Sequence, residues 1–149
     1  MVRSSSATQT GGSAGWRYGW VAPASLLGLC VALPAWAMGA TARVVDGVLE
    51  VAGGRLAAWA CAAPAPFGFA AITLGHVVLG ESHDALAGLR PHEHAHVRQY
   101  ERWGLLFFVL YFGSSAYQWL RGNSPYLHNH FERQARAEHA RAVTQAAAR

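Results

Sequence analysis

The chain has 149 residues, of which 52% are apolar and only 13% charged. That length predicts one small domain, and a charged share about half the globular norm points to a membrane-associated protein. The net charge of +4 comes from Arg alone, without any Lys, and the basic residues are scattered, which excludes the clustered footprint of a nucleic-acid binder.

Residues 1–17 open with a stretch rich in Ser, Gly and Thr. Residues 1–15 offer no packing pattern and are expected to be disordered. Residues 18–42 carry no charge and are long enough for a helix to cross a bilayer core. Pro23 and Pro34 are compatible with a helix in lipid. Leu33-Pro34-Ala35-Trp36-Ala37 also has the small-residue pattern of a cleavage site after an apolar core. The segment is therefore either a transmembrane anchor or a signal peptide cut after Ala37, and its length favours the retained anchor. Cys30 and Cys61 lie in apolar runs and read as small buried hydrophobes; their spacing fits neither a metal nor a redox motif.

A folded domain is expected over residues 43–140, with 141–149 as the end of a last helix or a tail. Asp46-Gly47 between two valine-rich runs predicts a β-hairpin. Trp59–Phe69, with Pro64 and Pro66, reads as a loop. Ala70–Leu79 is β-branched and apolar and reads as one strand, with His76 half-buried in it. His83 reads as a loop residue.

Next comes the motif that carries chemistry, H-E-x-x-H, made by His92, Glu93 and His96. On a helix, residues four apart share one face, so both imidazoles can hold one zinc ion with Glu93 beside them as base. Pro91 suits the first turn of that helix, which then runs to Trp103. His94 faces the other way, because two helical residues are about 200° apart. Catalytic zinc takes a third protein ligand. The best candidate is Glu132, on an Ala- and Arg-rich stretch that reads as a helix; the competing reading is a surface carboxylate paired with Arg136.

Trp103–Leu120 is uncharged and aromatic. A straight helix over it would be about 27 Å long and would carry Glu132 away from His92 and His96. If Glu132 is a ligand, the chain must turn back, at Gly104 or near Gly113, and the aromatic segment becomes a core cover or a shallow interfacial element. Gly122–Pro125 is a loop, and a final helix should start near Asn129. Tyr126 and His130 are close enough to Glu132 in sequence to stabilise an oxyanion, or else are a packing Tyr and a loop His.

His92, Glu93, His96 and Gln99, then Tyr126, Phe131, Glu132 and Ala135, resemble the small bacterial gluzincin-type metallopeptidases, most of them uncharacterised. In these, H-E-x-x-H-x-x-Q is followed by an aromatic stretch, a Tyr and a Phe-Glu-x-x-Ala segment. The likeness covers roughly residues 43–138. It implies an α+β zincin-like domain: a short N-terminal β-sheet, an HExxH helix and a C-terminal ligand helix, here preceded by a hydrophobic N-terminal helix. It further implies Zn2+ on His92, His96 and Glu132, water activation by Glu93, and a peptide or protein substrate paired along an edge strand. The chain departs from the family at Arg136, where many members carry an acid, and at His128 and His130, where Asp and Pro are more usual. Two other readings stand beside this one: a structural zinc site closed by His128 or His130, and a metal-free membrane protein.

Overall fold

Asp46 and Gly47 both adopt positive φ, 51° and 80°, the geometry of a type I′ turn, whose twist matches that of the flanking strands. They join β1 (Thr41–Val45) to β2 (Val48–Ala52) as an antiparallel hairpin. The structure, a computed structural model, describes residues 12–55 and 70–148. The loop expected at Trp59–Phe69, Cys61 and most of the N-terminal stretch expected to be disordered lie outside the described residues. Residues 12–15 are already helical.

The single strand expected over Ala70–Leu79 is instead a second hairpin. β3 (Ala71–Leu74) and β4 (Val77–Gly80) pair antiparallel around Gly75-His76. Of these two turn residues only Gly75 has positive φ, 62°, as in a II′ turn. An apolar β-branched run reads alike on both strands, and the lone Gly is what marks the reversal. His76 therefore lies in a turn. The four-stranded sheet has the order β1-β2-β4-β3, with β2 and β4 parallel at its centre.

Alternate side chains give the sheet two apolar faces. Val48, Ala52 and Val78 pack against Leu86 and Val97 of α2 (His83–Trp103). Val51, Val77 and Leu79 pack against Ala32 and Ala35 of α1 (Gly12–Ala37). The fold is thus α+β, with the sheet between the hydrophobic N-terminal helix and the HExxH helix. Within α1, Gly19–Ala37 is long and apolar enough to cross a membrane. Its buried stripe is made of small residues, Val21, Ala24, Gly28, Ala32 and Ala35, on the shared face of i, i+3, i+4 spacing. A Cβ at Gly28 would stand 2.7 Å from Val77 Cβ and 2.8 Å from the Leu74 carbonyl oxygen. The strand β1 begins at Thr41, so the uncharged run ends inside the sheet. Cys30 is exposed, because it falls off the small-residue stripe.

α2 starts two turns earlier than the motif predicts. Ser82 caps it, its Oγ accepting from Ala85 N at 3.1 Å, and Asp84 sits in the first turn, where the helix dipole favours an acid. Pro91 is inside the helix, not in its first turn, and His83 is its first residue. An interior Pro removes a hydrogen bond and crowds the preceding turn, but Leu86 before it and Val97 after it pack on the same sheet face, which holds one continuous axis. The helix ends at Gly104 (φ 55°); α3 (Leu106–Leu120) then turns away, with Gly113 in its interior. Phe107 of α3 packs its ring on Tyr100 of α2 at 4.5 Å and on Phe131 at 5.2 Å, so the aromatic segment covers the core. After the turn at Gly122–Pro125, α4 runs His130–Ala147, capped by Asn129.

Candidate metal centre

His92, Glu93 and His96 lie on the middle of α2, and burial falls on Glu93, Ala95, His96, Val97, Gln99 and Tyr100. Glu132 enters from the first turn of α4, where the dipole favours a carboxylate. That turn is fixed by Asn129, whose side chain is fully buried. Its Oδ1 accepts from Phe131 N at 2.9 Å, and its Nδ2 donates to the Tyr111 carbonyl and to Ser115 Oγ of α3 at 3.0 and 2.7 Å. One Asn thus caps α4 and ties it to α3.

The chain does turn back, and it brings the three expected ligands together. His92 Nε2 and His96 Nε2 are 3.2 Å apart; Glu132 Oε2 is 3.4 Å from His92 Nε2, and Glu132 Oε1 is 3.3 Å from His96 Nε2. Two donors each about 2.05 Å from one ion at the tetrahedral angle lie about 3.3 Å apart. Each separation is close to that edge, with the two to Glu132 falling on different carboxylate oxygens, so the group can hold a cation between the imidazoles and the carboxylate. Glu132 is buried, and its Oε2 makes only long contacts, 3.4 Å to His92 Nε2 and 3.6 Å to Arg136 Nη1. Such long contacts satisfy a buried carboxylate oxygen poorly, and a cation between the imidazoles would bind it more closely. No further His, Cys, Asp or Glu joins this group among the described residues.

The surroundings prepare these donors. Gln99 Nε2 donates to the Phe131 carbonyl and to Gln134 Oε1, both at 3.2 Å. Its Oε1 therefore faces His96 Nδ1, at 2.8 Å, and accepts a hydrogen bond from it. In the neutral ring Nε2 then offers a lone pair to the cluster, and in the charged ring it donates to Glu132. Tyr111 donates to Glu132 Oε1 at 2.8 Å. Burial would raise the Glu132 pKa, but hydrogen bonds from His92 and His96, the charge of His96 and the Tyr111 hydrogen bond outweigh it and hold the carboxyl far below its usual range. Burial works against a charged His96; its hydrogen bond to Glu132, with the charges of Glu132 and Glu93, overcomes this and raises its pKa.

Glu93 is buried and accepts from Thr73 Oγ1 of β3 at 2.6 Å. The Tyr126 phenol is half exposed, yet burial, then the charge of Glu132 and a hydrogen bond to it, push its pKa up to about 12. Arg136 serves several groups: Nη1 is 3.6 Å from Glu132 Oε2, Nη2 donates to the Leu127 carbonyl, and its guanidinium lies 5.7 Å over the Tyr126 ring. The Arg136 pair and the histidine cluster thus share one carboxylate, which is buried and not on the surface.

Other expected residues lie elsewhere. His130 is exposed, its ring edge-on to Phe131; two positions before Glu132 on one helix, it faces the opposite side. His128 is exposed. His76 Nε2 is 3.3 Å from Glu101 Oε1, behind the sheet turn. His94 turns away, as the helical geometry requires, toward Asp46, Arg98 and Glu138. Thr73 and Tyr111 were not singled out by sequence; their contacts to the site join residues 20 and 21 positions apart, which leaves no local pattern. Comparison of the chain with family models, with curated proteins and with solved structures finds no match.

Proposed function

We propose that this protein is a membrane-associated zinc-dependent metallopeptidase, placed at a bacterial cell membrane. The observation that carries the reading is the gathering of His92, His96 and the buried Glu132, with donor atoms 3.2, 3.3 and 3.4 Å apart. These residues would hold Zn2+, which when bound supplies a water of lowered pKa and polarises a carbonyl. Glu93 takes the proton of the attacking water at its carboxylate and delivers it to the leaving amine, and Thr73 fixes the orientation of that carboxylate. Tyr126, beside Glu132, donates to the developing oxyanion, and its raised pKa keeps the phenol protonated for that purpose. His130 has no part in this arrangement. β3 is the outermost strand on the Glu93 side, with one edge unpaired among the described residues, and an extended peptide can add to such an edge.

Elemental analysis of the purified protein, together with cleavage of a quenched-fluorescence peptide library, tests this. One zinc per chain in the wild type and in Glu93→Gln, with activity lost in the latter, is expected. A metal-free wild type refutes the site. Zinc without cleavage of any peptide refutes the peptidase and supports a structural ion.

A further inference from the structure

α1 is docked from Trp20 to Ala35. Trp20 covers Gly104, Ser25 Oγ accepts from His76 N at 3.0 Å, Gly28 meets Leu74 and Val77, and Ala35 belongs to the core with Val51. Only the narrow small-residue stripe is used. The rest of its circumference is large, apolar and outward: Leu26 is 60%, Leu33 61% and Trp36 65% exposed. α3 repeats the pattern, with Phe112 64%, Trp119 67% and Leu120 77% exposed. Soluble monomers rarely leave contiguous apolar surfaces of this kind in water.

The chemistry of the outward face of α1 selects the occupant. From Trp20 to Ala37 it carries no charge, and its polar groups are the indoles at its two ends. A protein partner would make about one hydrogen bond per 100–200 Å² of interface, and this face offers almost nothing to make them. Lipid asks for none. Trp at both ends and cations at Arg102 and Arg121, flanking α3, are the anchors expected at a headgroup layer.

The docking also fixes the orientation. A helix that stood across the bilayer while packed on this sheet would carry the sheet with it. The outer edges of β1 and β3, unpaired among the described residues, and the His76–Glu101 pair beside Ser25 would then lie in hydrocarbon. Open sheet edges do not occur there, and ionisable groups are costly. We propose that α1 and α3 lie in the plane of the membrane interface, embedded by their outward faces, with the sheet and the metal centre held in water above them. The protein is then monotopic, neither spanned by α1 nor released by cleavage after Ala37, since cleavage would strip one face of the sheet. This deepens the membrane part of the functional reading and is independent of the metal chemistry.

The full chain is expressed with its membrane and also reconstituted into phosphatidylcholine–phosphatidylglycerol vesicles. Cysteines are placed at Gly19 and at Met38, at the two ends of the apolar stretch of the helix, each in a Cys30→Ser, Cys61→Ser background. A Cβ at Gly19 meets nothing within 4 Å, so folding is not at risk there. Both ends are expected to react with an impermeant maleimide from the same side. A nitroxide on Cys30, with Cys61→Ser, should report a depth of about 5–10 Å below the headgroups. Labelling of only one end, with the nitroxide at the bilayer centre, overturns the in-plane assignment in favour of a span. A mature chain beginning near Met38, or a protein that stays off the vesicles as a dimer, overturns it in favour of a signal segment or a protein interface.

Discussion

Gln99 is expected to control zinc affinity through a single acceptor atom. Its Oε1 holds the His96 Nδ1 proton at 2.8 Å, while its amide nitrogen reaches the Phe131 carbonyl and Gln134 at 3.2 Å. Gln99→Leu removes the acceptor and lets His96 choose its tautomer; losing such an outer partner weakens metal binding roughly 10- to 100-fold, or about 1.4–2.8 kcal/mol. It also removes the extra donor that the Phe131 carbonyl and Gln134 Oε1 share, a cost of about 0.5–1.5 kcal/mol in folding stability. Gln99→Glu separates the two effects: the carboxylate still accepts from Nδ1, as in carboxylate–histidine–zinc triads, but its ionised form cannot donate to Phe131. Zinc affinity, measured by competition with a chromophoric chelator, should fall in Gln99→Leu and stay near wild type in Gln99→Glu. Urea unfolding should show both destabilised. Equal zinc affinity in Gln99→Leu and wild type would refute the tautomer argument.

Thr73→Val should leave zinc content unchanged and lower kcat about 10- to 100-fold, because a hydrogen bond to a charged group contributes about 1.5–3 kcal/mol; an unchanged kcat would separate Thr73 from the base. Glu50 is buried and bonded to Arg90 (2.7 Å) and Arg43 (2.8 Å); burial raises its pKa, but these cations outweigh that and lower it below the usual 4.5. A depressed folded pKa adds stability that is fully present above the unfolded value and lost as pH falls through the folded one, so urea stability should decline below about pH 4.5. Arg90→Ala should cost about 3 kcal/mol at pH 7 and flatten that decline, and a decline of unchanged steepness would remove Glu50 as its source. Gly28→Val should lower stability by about 1–3 kcal/mol through overpacking against Val77 and Leu74; no change in urea midpoint would show that α1 is not docked on the sheet.

The sequence carried the centre of this site and not its supports. His92 and His96 announce themselves because helical spacing turns four residues into one face. Glu132 needed the family likeness, since nothing local says that a chain leaving at Trp103 returns. Thr73 and Tyr111 act across elements and leave no periodic mark. Pro91 pointed to a false helix start because local propensity counts its cost but not the packing on both sides of it; the cap at Ser82 and the acid at Asp84 were the better signals. The uncharged run of α1 reads alike for an anchor, a signal peptide and a core layer. What distinguishes the layer is size rather than polarity: Ala24, Gly28 and Ala32 recur every four residues, a spacing that lets backbones approach closely.

The β3–β4 hairpin joins two tasks over a very short distance. Its turn, Gly75-His76, is clamped to α1 through Ser25, and Thr73, two residues from Gly75, holds the carboxylate of Glu93. At about 3.4 Å per strand residue, only about 7 Å of extended backbone separates the clamp from the base, and no loop intervenes. With α1 lying in the interface, the reactive groups stand at a set height over the lipid headgroups, as a cutting edge stands over its bed. For the peptidase proposed above, selection among polypeptides would act on the distance of a bond from the bilayer as well as on side chains at the scissile position.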